Sequence, residues 1–131
     1  MRAGLSVVVG AAWLLAPGPA LSHHSFSAEF DVSRPIALTG TVTRVEWTNP
    51  HAWLFIETED DEGRVQPWAI ELLGINALMR SGMTRDSIKP GDVITVEGFG
   101  ARDGTNTANA SEVTMTETGE RLWESTARGR R

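Results

Sequence analysis

The sequence predicts a mostly β fold, a small barrel of five or six strands with one short helix, behind a cleaved signal peptide. Three observations carry this expectation. Short runs of alternating or continuous apolar residues, separated by Pro, Gly, Asn and Asp, recur between Ser25 and Met115. Only Ile75 to Arg80 has a helix-like pattern closed by a glycine, Gly82. The first 22 residues have the pattern of an export signal and lie apart from the rest.

Composition narrows the chemistry. The chain has 131 residues, 12 Lys and Arg against 17 Asp and Glu, three His, five Trp and no Cys, with a formal net charge of −5. This length suits one domain, and the apolar content is too high for a disordered tail. Absence of cysteine excludes a disulfide scaffold, a thiolate metal site and a cysteine nucleophile. The acidic balance argues against a nucleic-acid partner, whose phosphates are held mainly by Lys and Arg.

Arg2 is the only charge before Glu29, and residues 3–16 are apolar apart from Ser6. A Pro-Gly-Pro segment and small residues follow. The run is short of the ~20 residues of a membrane span, so it reads as a signal peptide, residues 1–22, with no membrane span in the mature chain. Cleavage after Ser22 releases a chain beginning His23-His24, and cleavage after Ala20 one beginning Leu21-Ser22-His23. The mature domain, residues 23–124 with a flexible tail at 125–131, is expected in the periplasm or secreted.

Each element has a local signature. Phe26, Ala28 and Phe30 alternate with polar residues, which predicts a strand over Ser25–Asp31, and Val32-Ser33-Arg34-Pro35 predicts a turn. Ile36 to Trp47 is a long strand whose apolar phase shifts between Val42 and Val45, so a bulge there or a bend at Gly40 is expected. His51 to Glu59 is apolar on both faces, as in a closed sheet. After the acidic turn Asp60-Asp61-Glu62-Gly63, Val65 to Leu72 returns with Trp68, Ile70 and Leu72 in phase, and Pro67 marks an edge. A turn at Lys89-Pro90-Gly91-Asp92 leads to a hairpin of Val93–Phe99 and Thr107–Met115 around Asp103-Gly104. Three strands, a helix and two strands give an OB-like barrel with an extra N-terminal strand.

Several motifs span nearly all of the mature chain: His23-His24-Ser25-Phe26, Glu29-Phe30-Asp31, Gly40-Thr41-Val42, Glu46-Trp47-Thr48-Asn49-Pro50-His51-Ala52-Trp53, Trp68, Asn76-Ala77-Leu78, Lys89-Pro90-Gly91-Asp92 and Asp103-Gly104. In these the chain resembles a family of small exported bacterial proteins of unknown function. The resemblance implies export and cleavage before His23-His24. Met83 stands where a Trp is common in that family, a difference in packing.

The histidines are the distinctive chemistry. If Ser25–Asp31 pairs with Ile36–Trp47 across a turn near Ser33 and Arg34, His23 falls opposite Arg44, a few residues from His51. The amine released by processing, pKa ~8, and imidazoles of pKa ~6.5 then form a nitrogen set with His23, His24 and His51, similar to the histidine brace of certain exported copper proteins. The alternative cleavage gives amine, amides and His23, also a copper(II) site. Glu46 and Asn49 are candidates for orienting a ligand ring. The competing reading is a frayed terminus and an ordinary strand histidine.

Other signals are weaker. Glu57, Glu59, Asp60, Asp61 and Glu62 crowd one hairpin without the spacing of a calcium loop. Trp47, Trp53 and Trp68 can line a ligand groove or fill the core. No nucleophile motif, phosphate loop or dinucleotide fingerprint is present. The expectation is therefore a non-enzymatic exported binding protein that takes copper through His23, His24 and His51. Its alternative is a metal-free accessory domain that meets an exported protein or small ligand by an edge strand or aromatic groove.

Overall fold

The computed structural model describes residues 26–125. In chain order the elements are α1 (Phe26–Glu29), β1 (Phe30–Glu46), β2 (Trp53–Glu59), β3 (Val65–Glu71), α2 (Ile75–Arg80), β4 (Val93–Ala101), β5 (Thr107–Met115) and β6 (Arg121–Glu124). The sheet order is β3-β2-β1-β4-β5-β6, and β3 also pairs with β5. Five strands thus form a ring, with β6 added outside it. The β3–β5 pairing is parallel and the others antiparallel. This is the mostly β, OB-like order that the sequence predicts, with α2 between the third and fourth strands of the ring. Among the described residues no helix is long and apolar enough to cross a membrane.

The ring forms because its strands alternate toward one interior. Leu54 and Ile56 of β2, Ile70 of β3, Ile94 and Val96 of β4, and Ala108 and Val113 of β5 are all buried there. Leu78 of α2 and Met83 after it close one end of the same core. The main chain stops α2 cleanly: Met83 N–H donates to Leu78 O and Gly82 N–H to Met79 O, with Gly82 at φ 94°. Met83, 1% exposed, is a core residue.

The expected phase shift in the long strand is a bulge. Val42 pairs with Ile56 and Arg44 with Phe55, so Thr43 is the extra residue. Pro67 lies, as expected, on the part of β3 that has β2 alone beside it; β5 joins only at Ala69–Glu71.

Two expectations are corrected. Of the strand expected over Ser25–Asp31, only Phe30 and Asp31 are extended, as the start of β1, and no hairpin turn follows in the described residues. Phe26 to Glu29 is helical, and β1 runs unbroken through Val32-Ser33-Arg34-Pro35. Phenylalanines at 26 and 30 satisfy a helix spacing of four as well as a strand spacing of two, and their rings sit 5.5 Å apart. Asp31 accepts from Ser33 N–H and Oγ, a local turn that becomes an irregularity in the β1–β4 ladder between Phe30 and Pro35. Pro35 is tolerated because β1 has only β4 beside it there, and Arg34 Nη1 donates to Ala101 O across that side. The unbroken run of β1 removes the hairpin that set residue 23 opposite Arg44, and Arg44 is paired with Phe55 of β2; His23 itself lies outside the described residues. The second correction is β6, a strand the polar stretch after Glu117 conceals; it buries Trp123 against Val113.

Close approach of β4 to β5 gives the fold a testable steric point. A Cβ at Gly98 would lie 2.1 Å from Asn109 O, at a shift in the β4–β5 register, whereas one at Gly100 would meet Ile36 Cγ2 at 3.6 Å, ordinary contact. Gly98→Ala is expected to lower stability by about 1–3 kcal/mol or more, since backbone must move to admit the methyl group. Gly100→Ala should stay within about 1 kcal/mol of the parent in urea unfolding. Equal midpoints for the two variants would refute this register.

Candidate functional site

Strand register places one row of side chains across four strands on the face opposite the core. Trp53 pairs with Glu71, Glu71 with Asn109, and Asn109 with Phe99. A glutamate on such a face ordinarily reaches water, but Glu71 is only 4% exposed. α1 is fastened beside this row. The Phe26 ring meets Phe99 edge to face, Arg102 N–H donates to Glu29 O, and Arg102 Nε donates to Ser27 O. Between α1, Trp53 and the β4–β5 hairpin lies an open cleft of about 530 Å³, bordered by Glu29, Phe30, Trp53, Arg102 and Asp103.

His51 stands at the start of β2. The ladder continues one residue past Trp53, because Ala52 N–H donates to Leu73 O and Leu72 N–H to Ala52 O. That holds His51 diagonally beside Glu71, and its Nδ1 pairs with Glu71 Oε1. The imidazole is half exposed while the carboxylate is nearly enclosed. A carboxylate acceptor at Nδ1 makes that nitrogen the donor, so a neutral ring keeps its lone pair on Nε2.

Glu71 carries an unusual electrostatic load. Burial raises its pKa from the ordinary carboxylate value; the His51 charge opposes this, the Glu29 charge adds to it, and hydrogen bonds from Asn109 and His51 act against it. Its Oε2 is buried and has no hydrogen-bond partner. A buried, unsatisfied carboxylate oxygen costs stability, so the position is a place where the fold carries a cost.

The other candidates are placed as follows. His23 and His24 lie outside the described residues. Glu46 pairs with Arg44, and Asn49 Oδ1 accepts from Ile75 N–H at the start of α2; it is Glu71 that pairs with His51. Trp53 borders the cleft, whereas Trp47 and Trp68 pack against the core as partly buried side chains. In the acidic hairpin, Asp60 is a turn organiser: it accepts from the N–H groups of Glu62 and Arg64 and from Arg64 Nε. These bonds, chiefly those from Arg64, hold its carboxyl below the usual range. Among the described residues no three His, Cys, Asp or Glu side chains converge on a common point. Sequence reasoning missed Glu71, because alternation assigns it to the solvent side of β3.

The Glu71 environment sets a pH dependence. Its folded pKa is raised, so its contribution to stability is fully present below the unfolded value near 4.5 and is lost as pH rises through the folded value. Asp31, Asp60 and Asp103 are lowered by local hydrogen bonds and act in the opposite sense, losing stability as pH falls. Comparing Glu71→Gln with the parent cancels those three. As pH rises above about 4.5 the variant should gain stability relative to the parent in urea titrations. A stability difference independent of pH would show that Glu71 titrates normally.

Among solved structures, a mitochondrial single-stranded DNA binding protein from S. cerevisiae, Rim1, is similar at 12% identity and a TM-score of 0.49, over 63% of this chain and 93% of that chain. No curated protein matches the chain. Residues 12–110 match the family of unknown function DUF6152, and the chain belongs to that family.

Proposed function

We propose that this is an exported, non-enzymatic binding protein, periplasmic or secreted, that takes up copper through its processed N-terminus and His51. The observation that carries the reading is the His51–Glu71 pair. A buried carboxylate at Nδ1 fixes the ring and its tautomer and directs Nε2 outward, as in metal-binding histidines held by an outer carboxylate. Among the described residues this pair has no third ligand-type neighbour. The reading therefore requires His23, His24 and the amine freed by processing. Glu29 of α1 borders the cleft with Trp53 and acts electrostatically on Glu71. Nitrogen donors with a carboxylate behind them suit copper(II).

A second reading is favoured by the cleft itself. Trp53 and Phe30 offer apolar walls between polar rims, so a small ligand or a segment of another exported protein can bind there without metal.

Calorimetry on the mature protein beginning at His23 separates the two readings. Copper(II) should bind at one equivalent. One residue added before His23, or His51→Ala, should weaken binding sharply, and Glu71→Gln should weaken it about 10–100-fold. If copper produces no saturable heat, or His51→Ala binds as the parent does, the metal reading is wrong and the cleft reading stands.

A further inference from the structure

A second cleft, of about 330 Å³, lies between the bulged end of β1 and the segment leading into β4. Its walls include Arg44, Trp47, Arg85, Ile88, Lys89 and Pro90. The bulge at Thr43 re-aims the strand so that Arg44 lies over the Phe55 ring, 3.7 Å from its centroid, with Glu46 as its ionic partner. The opposite wall is held by backbone: Gly91 N–H donates to Val42 O and Val42 N–H to Asp92 O, both at 2.8 Å. Lys89 N–H donates to the Asp92 carboxylate, and Thr84 N–H to Ser87 Oγ. Both walls are therefore tied to the ring.

The chain is acidic overall, yet this cleft is lined by three cations and no acid. Arg44 is neutralised by Glu46, whereas neither Arg85 nor Lys89 has an ion-pair or side-chain hydrogen-bond partner among the described residues. Asp92, which accepts from Lys89 N–H, does not line the cleft. Two unpartnered cations lie beside a partly buried indole, on a frame fixed by main-chain hydrogen bonds. An anion accepts charge-assisted hydrogen bonds from Arg and Lys, and an attached ring can lie against Trp47.

We infer that the cleft formed by Trp47, Arg85 and Lys89 is a binding site for a small oxyanion ester, a phosphate or sulfate carried on a flat ring. Its size admits one such group, and the net negative charge of the chain repels extended polyanions, so the occupant is a small molecule. The site is separate from His51 and independent of any metal bound there.

The test is NMR titration of the mature protein with phenyl phosphate, phenyl sulfate, inorganic phosphate and phenol. The aryl esters should shift resonances of Trp47, Arg85 and Lys89 and bind several-fold more tightly than inorganic phosphate, and phenol should not bind. Preference between the two esters identifies which oxyanion the cleft takes. Arg85→Ala and Lys89→Ala should each weaken ester binding at least about tenfold, the loss of a charge-assisted contact, and higher salt should weaken it further. Trp47→Phe should narrow the gap between ester and inorganic phosphate. His51→Ala should leave ester affinity unchanged while it abolishes copper binding. Both charge variants lie on exposed positions and should unfold in urea as the parent does. No ester binding at millimolar concentration, or binding unaffected by either charge variant, overturns the inference.

Discussion

The parallel pairing of Ala69–Glu71 with Thr107–Asn109 is the contact on which the rest depends, because it turns an open sheet into a ring. Without it, β3 and the Thr107–Asn109 part of β5 would present unpaired edges, and the interior defined by Ile70, Ala108 and Ala110 would open to water. Parallel strands cannot be joined by a tight turn, so this pairing waits until the whole chain between residues 71 and 107 has wrapped round. The core of Leu54, Ile56, Ile94 and Val96 favours that closure, since burial of apolar area is its main driving force. Glu71 sits in the closing seam. A buried carboxylate with an unpartnered oxygen is therefore placed where the ring is completed, with His51 and Asn109 offsetting part of its cost.

Much of this fold is legible in the sequence, for a physical reason. Alternation of Leu54 and Ile56 against Trp53 and Phe55 reports a two-sided strand, and the broken phase between Val42 and Val45 reports an irregularity there, which is the extra residue Thr43. Helix α2, with Gly82 beyond its end, and the turn at Gly91 are local and were equally readable. The N-terminal segment was not, because period two and period four coincide over Phe26 and Phe30. Strand β6 escaped because four residues are too few to display alternation; its place follows from the space that Trp123 fills.

The candidate site divides in the same way. His51 stands out as one of three histidines, but its partner depends on register. Glu46 and Asn49 are its neighbours in sequence, whereas Glu71 is its neighbour across the strands, twenty residues on in the chain. Burial of Glu71 cannot be read from β3 alone, since the groups acting on it, His51, Glu29 and Asn109, come from three other parts of the chain. In the second cleft the same rule applies: Arg85 and Lys89 are ordinary surface residues until the Val42 backbone ties their segment beside Trp47.

Strand β1 changes partner at Thr41, pairing with β4 before it and with β2 after it. From Phe30 to Gly40 its second edge therefore faces outward, a row of main-chain groups that could recruit another chain. Two features blunt that edge. Pro35 supplies no donor, and the Asp31–Ser33 turn interrupts the row. The residues that imitate a hairpin turn in the sequence thus guard this edge against strand-to-strand aggregation, a protection that a flatter, apolar continuation of β1 would forfeit.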